Sequence, residues 1–382
     1  MSAPNPMINE PRIHRWHMSL KILISGGGTG GHIFPAIAIA NTIKEINPET
    51  EFLFVGANGK LEMEKVPSAG YKIIGLNITG IQRKLSLSNL AFPFKLVGSL
   101  LKARSIINSF KPDVVVGVGG FASGPVLRMA TWMGVPSLIQ EQNSFAGITN
   151  RWVASSVSKA CVAYTGMEKF FPKESIVFTG NPVRKEMVQI EGKRQQALKK
   201  FGFNDSKPVL LIVGGSLGAM SINQALEQNV GQLLEAGVQV LWQTGKLFKV
   251  ESARVKEKYF DPSLNIMEFI YEMDLAYAAA DFVVSRAGAI AVSELSLIGK
   301  PTILVPFPFA AEDHQTKNAM SLLETNAALH IADGEVKSDL VNKVLELYKN
   351  ETVINELSSN ILKHGKPNAA MDIANQVIAL AK

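Results

Sequence analysis

The sequence predicts an α/β protein made of two Rossmann-like, doubly wound domains that face each other across a cleft. Three observations carry that expectation. The chain has 382 residues, more than one ordinary hydrophobic core organises. Short β-branched runs without alternation recur between helical patterns, as parallel strands buried on both faces require. The strand, glycine turn and helix start of ILISGGGTGG (22–31) return in LLIVGGSLGA (210–219), so the same unit opens each half.

Residues 1–18 hold three prolines and no apolar stretch, which reads as a loose tail and not as a signal peptide. The first half then offers strands at 21–25, 52–55, 72–75, 113–117, 136–140, 160–163 and 175–178. The second offers 208–213, 238–242, 264–267, 281–285, 302–305 and 328–331. Helical patterns lie between them at 33–46, 122–133, 219–235, 289–298 and 313–324, with Pro35 suited to a first helical turn. Asn181-Pro182 breaks structure and marks the linker. The expected domains are 19–184 and 185–365, with a final helix in 366–382 crossing back onto the first.

Apolar residues make up 47% and charged residues 19%, a globular composition. The lone Cys161 excludes a disulfide framework and argues for a reducing compartment. A net charge of +6 suits anionic ligands or an anionic membrane surface. Nothing points to nucleic acid, and no apolar run is long enough to span a bilayer.

Three glycine-rich loops follow apolar strands and precede helices: GGGTGG (26–31), GVGGFASG (117–124) and GGSLGA (214–219). Glycine lets backbone approach a ligand closely, and a helix start offers free N–H donors, so the combination suits phosphate. A P-loop is absent, since Gly59-Lys60 leads into Leu61. Gly26-x-Gly28-x-x-Gly31 fits a dinucleotide fingerprint, but the second strand ends without the acid that would hold a ribose. Glu294, behind a glycine turn of the second half, is the alternative ribose holder. No D-x-D and no histidine pair at ligand spacing occur, so no metal centre and no tightly bound cofactor are expected.

The motifs together resemble the MurG family of glycosyltransferases. They are GGGTGGHIFPA (26–36), KPDVVVGVGGFASGP (111–125), EQNSFAGITNR (141–151), GNPVR (180–184), GGSLGA (214–219), SRAGAIAVSE (285–294) and VPFPFAAEDHQTKNA (305–319). The resemblance runs from about residue 19 to the end and implies the GT-B fold. It implies transfer of N-acetylglucosamine from UDP-GlcNAc to undecaprenyl-diphospho-N-acetylmuramoyl-pentapeptide, turning lipid I into lipid II, with inversion. Thr29, Gly30 and Gly31 would line the cleft near donor sugar and phosphates, and Asn143 would contact the sugar. Arg184 and Ser216 would hold the diphosphate, and Ile270 the uracil through its backbone. Ala289, Ile290, Ala291, Val292, Ser293 and Glu294 would surround the uridine, and Gln315 would reach the sugar. DHQT replaces a second glutamine found in many relatives, which leaves Thr316 without an assured contact. Gly27, Gly28, Gly119, Gly120 and Ser123 would take the acceptor's diphosphate. His32 is the candidate general base, because imidazole titrates near neutrality; a backbone-bonding role is its structural alternative. Glu141 is the rival base.

The lipid acceptor that the resemblance implies would require contact with a bilayer, at the cytoplasmic face of the inner membrane. The stretch 78–111 supplies Leu85, Leu87, Phe92 and Phe94 beside Arg83, Lys84 and Lys95. The alternative is a helix packed on the first sheet with solvated charges. Other cell-wall synthesis proteins are possible partners on the same resemblance. Competing readings are another UDP-sugar GT-B enzyme (a lipid glycosyltransferase or UDP-GlcNAc 2-epimerase), a nicotinamide-dependent oxidoreductase, and a non-catalytic sensor.

Overall fold

The structure, a computed structural model, describes residues 19–80 and 92–382. The expected tail at 1–18 and the basic apolar stretch Arg83, Lys84, Leu85 and Leu87 lie outside the described residues. The first sheet contains β1 (Lys21–Ser25), β2 (Glu51–Ala57), β3 (Lys72–Leu76), β4 (Val114–Gly117), β5 (Ser137–Glu141), β6 (Lys159–Val162) and β7 (Ile176–Phe178). Its order is β3-β2-β1-β4-β5-β6-β7, and every pairing is parallel. The second sheet contains β8 (Val209–Val213), β9 (Gln239–Gln243), β10 (Leu264–Met267), β11 (Phe282–Ser285), β12 (Thr302–Leu304) and β13 (Leu329–His330). Its order is β10-β9-β8-β11-β12-β13, again parallel throughout.

The apolar runs lack alternation because both faces of each sheet are covered. In β1, Leu23 joins the core on one face while Ile22 and Ile24 join the core on the other. In β8, Val209 and Leu211 face one core and Leu210 and Ile212 the opposite one. Successive side chains point to opposite faces, so an all-apolar strand fills two cores at once. The helix Ala369–Leu380 packs on the helix Gly30–Ile46 and contributes Ile373, Ala374, Val377 and Ile378 to the first sheet's core. The chain's end is thereby tied to the half where it began.

One helix differs from expectation. It starts at Gly30, so Pro35 falls in its second turn and not its first. The missing N–H leaves the Gly31 carbonyl without its intrahelical partner.

Strand order positions the site. Each sheet reverses direction of winding once, between β1 and β4 in the first and between β8 and β11 in the second. Ligands of open parallel sheets bind beyond the carboxyl ends of the strands at such switch points. The loops 26–29 and 118–122 follow β1 and β4; the loops 214–219 and 286–288 follow β8 and β11. All the glycine-rich turns therefore lie at switch points.

Candidate active site

The two first-domain loops are packed on each other. Gly27 N donates to Gly119 O at 3.3 Å. Gly120 has φ +85°, and a Cβ there would lie 2.3 Å from Gly27 O. Gly119 has φ +90°, and its Cβ would lie 2.9 Å from His32 Nε2. Both positions need glycine for backbone conformation and for closeness. Ser123, expected to face the acceptor's diphosphate, is fully buried and donates to Gly120 O at 3.1 Å, so it braces the loop from behind. Glu62, absent from the sequence expectations, is buried and accepts from Gly28 N at 2.8 Å and Ala57 N at 2.9 Å. It fixes the first glycine loop against β2.

His32 stands at the mouth of the 30–46 helix. Its Nδ1 is 3.1 Å from Gly27 O and 3.3 Å from Thr29 Oγ1. A carbonyl can only accept, so in the neutral ring Nδ1 carries the proton and Nε2 keeps its lone pair on the Gly119 side. Burial lowers the imidazole pKa; the Gly27 carbonyl opposes this, while His314 adds to it and Glu62 opposes it. The neutral, proton-accepting form is favoured.

Glu141 ends β5 and is buried. Oε1 accepts from Asn143 N at 3.0 Å and Asn143 Nδ2 at 3.4 Å. Oε2 accepts from Gly147 N at 3.0 Å and Asn150 Nδ2 at 2.9 Å. Burial pushes its pKa up against the pull of those donors. With each oxygen taking two hydrogen bonds, the carboxylate organises the 143–150 loop.

These groups line an interdomain cavity of ≈ 670 Å³. Its first-domain wall has Gly27, Gly28, Thr29, Gly31, His32, Gly119, Gly120, Glu141 and Asn143, with Lys60 at its edge. Its second-domain wall has Ala289, Ile290, Ala291 and Gln315. A second cavity of ≈ 580 Å³ follows the 214–219 loop, includes Ser216, and shares Gly288, Ala291, Phe307 and Gln315 with the first. The two cavities form one groove that runs from switch point to switch point. Gln315 is held there by accepting from Phe307 N at 2.9 Å. Thr316 turns away and caps locally, donating to Asp313 Oδ1 at 2.7 Å.

Other expected residues lie outside the walls of both cavities. Val292 is packed in the second sheet's core. Ser293 donates to Ala289 O and accepts from Asn181 Nδ2 at 3.0 Å. Glu294 accepts from the Tyr277 hydroxyl at 2.8 Å; burial raises its pKa, with Tyr277 and Arg184 opposing. The Arg184 guanidinium stacks on Phe34, 4.9 Å from the ring centroid. Ile270 is buried and its N–H already donates to Gln243 Oε1 at 2.8 Å. A base held there would use the Ile270 carbonyl or displace that side chain. Gly30 starts its helix beside Phe34.

Asn318 was also missed. It is fully buried at the domain junction, three positions after Gln315 on one helix face, and that spacing was its available signal. Among the described residues no cluster of His, Cys, Asp or Glu could hold a metal ion. Among them, too, no helix is long and apolar enough to cross a membrane.

A two-domain α/β chain with a groove joining two facing switch points fits a nucleotide-sugar glycosyltransferase. Residues 22–162 match the glycosyltransferase family 28 N-terminal domain and residues 209–376 its C-terminal domain. The fold is GT-B, and the protein is a glycosyltransferase. The UDP-N-acetylglucosamine--N-acetylmuramyl-(pentapeptide) pyrophosphoryl-undecaprenol N-acetylglucosamine transferase of Cytophaga hutchinsonii is 53% identical, over 94% of this chain and 96% of its own. Its namesake in Phocaeicola vulgatus is 51% identical, over 95% and 97%. The crystal structure of MurG from Acinetobacter baumannii superposes with a TM-score of 0.75 at 28% identity, covering 94% of this chain and 99% of that one. The chain belongs to this MurG family of transferases.

Proposed function

We propose that this protein transfers N-acetylglucosamine from UDP-GlcNAc to the 4-hydroxyl of the N-acetylmuramyl unit of undecaprenyl-diphospho-N-acetylmuramoyl-pentapeptide. The observation that carries the reading is the placement of His32, its Nδ1 3.1 Å from Gly27 O, on the wall of a groove whose other wall is the 289–291 helix start. UDP occupies the second-domain end, with its diphosphate at Ser216 and the helix start after 288. The acceptor's diphosphate occupies the Gly27–Gly28 and Gly119–Gly120 loops. Gly27 N and Gly28 N are already committed to Gly119 O and Glu62 Oε2, so the phosphate charge is met by backbone N–H groups of the Gly119–Gly120 turn and of the helix start after 288.

The reaction is one in-line displacement. The acceptor oxygen bonds to C1 of the sugar as the C1–O bond to UDP breaks, inverting the α anomer to β. The hydroxyl proton passes to His32 Nε2, and the bonding pair leaves with the UDP oxygen. Alignment of two bound substrates supplies much of the rate. Glu141 serves as the loop's organiser, because its lone pairs are already engaged by four donors. Arg184 and Glu294 reach UDP only by rearranging from Phe34 and Tyr277, which UDP binding would drive.

Membrane contact is proposed for one side of the first domain. On the helix Phe92–Phe110, Phe94, Val97 and Leu101 share a face and are 81%, 56% and 63% exposed. Phe92 and Lys95 are half-buried on the same helix. Exposed Trp132 and Trp152 flank Arg128 on the neighbouring helices. Apolar side chains beside basic ones hold a peripheral protein on anionic lipid.

The test is release of UDP from UDP-GlcNAc with and without the lipid-linked acceptor. Release only in its presence is expected. Acceptor-independent release would mark hydrolysis or epimerisation, and no release would mark a sensor.

A further inference from the structure

Asn318 sits on the helix His314–Leu323 of the second domain and is fully buried. Its Oδ1 accepts from both Ser144 N and Ser144 Oγ at 3.1 Å, across the domain junction. Its Nδ2 donates to Asn143 Oδ1 at 3.2 Å, also across the junction, and to Ala287 O at 3.3 Å within its own domain. All four hydrogen-bonding positions of the carboxamide are filled.

The polarity of this network follows from its backbone members. Ser144 N–H can only donate, so the atom facing it is oxygen. The Ala287 carbonyl can only accept, so the atom facing it is nitrogen. The side chain has one allowed orientation, and a flip would set like against like at both ends. That orientation directs an N–H to Asn143 Oδ1, which fixes the Asn143 carboxamide in turn, with its Nδ2 aimed at Glu141 Oε1. A directional path thus runs from Ala287, next to the helix start that lines both cavities, to Glu141 and its loop. The junction holds other polar contacts too: Asn181 Nδ2 donates to Ser293 Oγ at 3.0 Å, and the Arg151–Glu312 pair, 3.6 Å apart with side chains 35% and 40% exposed, has little net energy.

We propose that Asn318 is a positioning residue that sets the domain separation at which the sugar is transferred. It holds the Asn143–Ser144 segment of the acceptor domain against the turn that begins the donor domain's 289–298 helix. Parting of the domains breaks the three bonds to Asn143 and Ser144 together, so the network forms only in the closed arrangement. The idea rests on the transferase reading for its consequence and on the geometry alone for its closure.

Asn318→Asp keeps the two acceptor positions facing Ser144 and removes both donors. In the folded variant, UDP affinity by thermal titration should stay within about threefold of wild type, since Asn318 lines neither cavity. Single-turnover transfer with both substrates saturating should fall about 30- to 100-fold, as misplacement of reactants by an ångström does. Asn143→Ala should fall similarly, and the double variant should be no slower than the slower single one. Near-normal transfer by folded Asn318→Asp, or multiplicative losses in the double variant, would overturn the proposal. If Asn318→Asp does not fold, Ser144→Ala removes one cross-domain bond and should slow single turnover without changing UDP affinity; an unchanged rate there overturns it equally. A readout independent of the reaction uses spin labels at Glu49→Cys and Glu235→Cys, both exposed, with Cys161 buried and unlabelled. With UDP bound, the interdomain distance should be narrow in wild type and broad in Asn318→Asp or Ser144→Ala. Broadening without any transfer by wild type would sink the transferase reading and leave the closure role standing. An unchanged distance would sink the closure role.

Discussion

In the proposed reaction His32 takes the acceptor's proton, and three local facts support that role. Its Nδ1 is committed to a carbonyl, its Nε2 faces a glycine that leaves it room, and burial lowers its pKa. The last fact has a sign that can be read in solution. A base must be unprotonated, and a lowered pKa keeps it so at lower pH. The acceptor-transfer rate should therefore rise with pH through a midpoint below the ordinary imidazole value of about 6.5 and be flat above neutrality. A midpoint above that value would contradict the assignment. For Glu141 the expectation concerns stability. In Glu141→Gln, whichever side the amide nitrogen takes, it confronts two donors of the 143–150 loop. At about 1–3 kcal/mol for each unsatisfied group, the variant should lose about 2–4 kcal/mol, measured by urea unfolding. A Glu141→Gln protein of wild-type stability that has lost transfer would make Glu141 the base. At this scale the sequence singled out His32 and Glu141 as candidate and rival base but not the contacts that distinguish them. Those depend on Gly27, Asn143, Gly147 and Asn150 converging from separate loops, which no spacing encodes. The spacing from Gln315 offered Asn318 as a candidate, but its partners, 174 and 175 positions away, were hidden for the same reason.

At the scale of elements, the glycine loops are the device that brings two strand ends into contact. Gly120→Ala would place a Cβ 2.3 Å from Gly27 O at a φ of +85°, and should cost about 1–3 kcal/mol in strain alone. Thermal melting should fall, and the remaining folded enzyme should transfer poorly because the first loop moves. An active, equally stable Gly120→Ala enzyme would show that the loops are independent. The elements themselves were largely legible. A strand such as Leu210–Ile212, buried on both faces, reads as a short unbroken apolar run, and Gly299 after Ile298 ends its helix as glycine commonly does. The start of the 30–46 helix was not. A run of glycines carries no helical period, so its first turns are set by packing against the 119–120 loop. Pro35 then pointed to the wrong register.

At the scale of the molecule, the two halves are joined by one groove, whose two cavities share Gly288, Ala291, Phe307 and Gln315. The side proposed to face a bilayer has its own test. Changing Phe94 and Leu101 together to serine should weaken binding to anionic vesicles at least tenfold, since each apolar side chain buried is worth roughly 1.5–3 kcal/mol. Unchanged flotation of the folded variant would remove this face from the account. UDP release without membranes should be unaffected by the same change when a short-chain soluble acceptor is supplied.

The most direct test of the whole account is single-turnover transfer of labelled N-acetylglucosamine from UDP-GlcNAc to the lipid-linked acceptor, wild type against His32→Ala, between about pH 5 and pH 8. The account predicts a wild-type rate that levels off by neutrality. It predicts a His32→Ala rate lower by about 10²–10⁴-fold at the plateau, with UDP binding unchanged and the pH dependence gone. A His32→Ala enzyme that transfers at near wild-type rate with both substrates bound would contradict it.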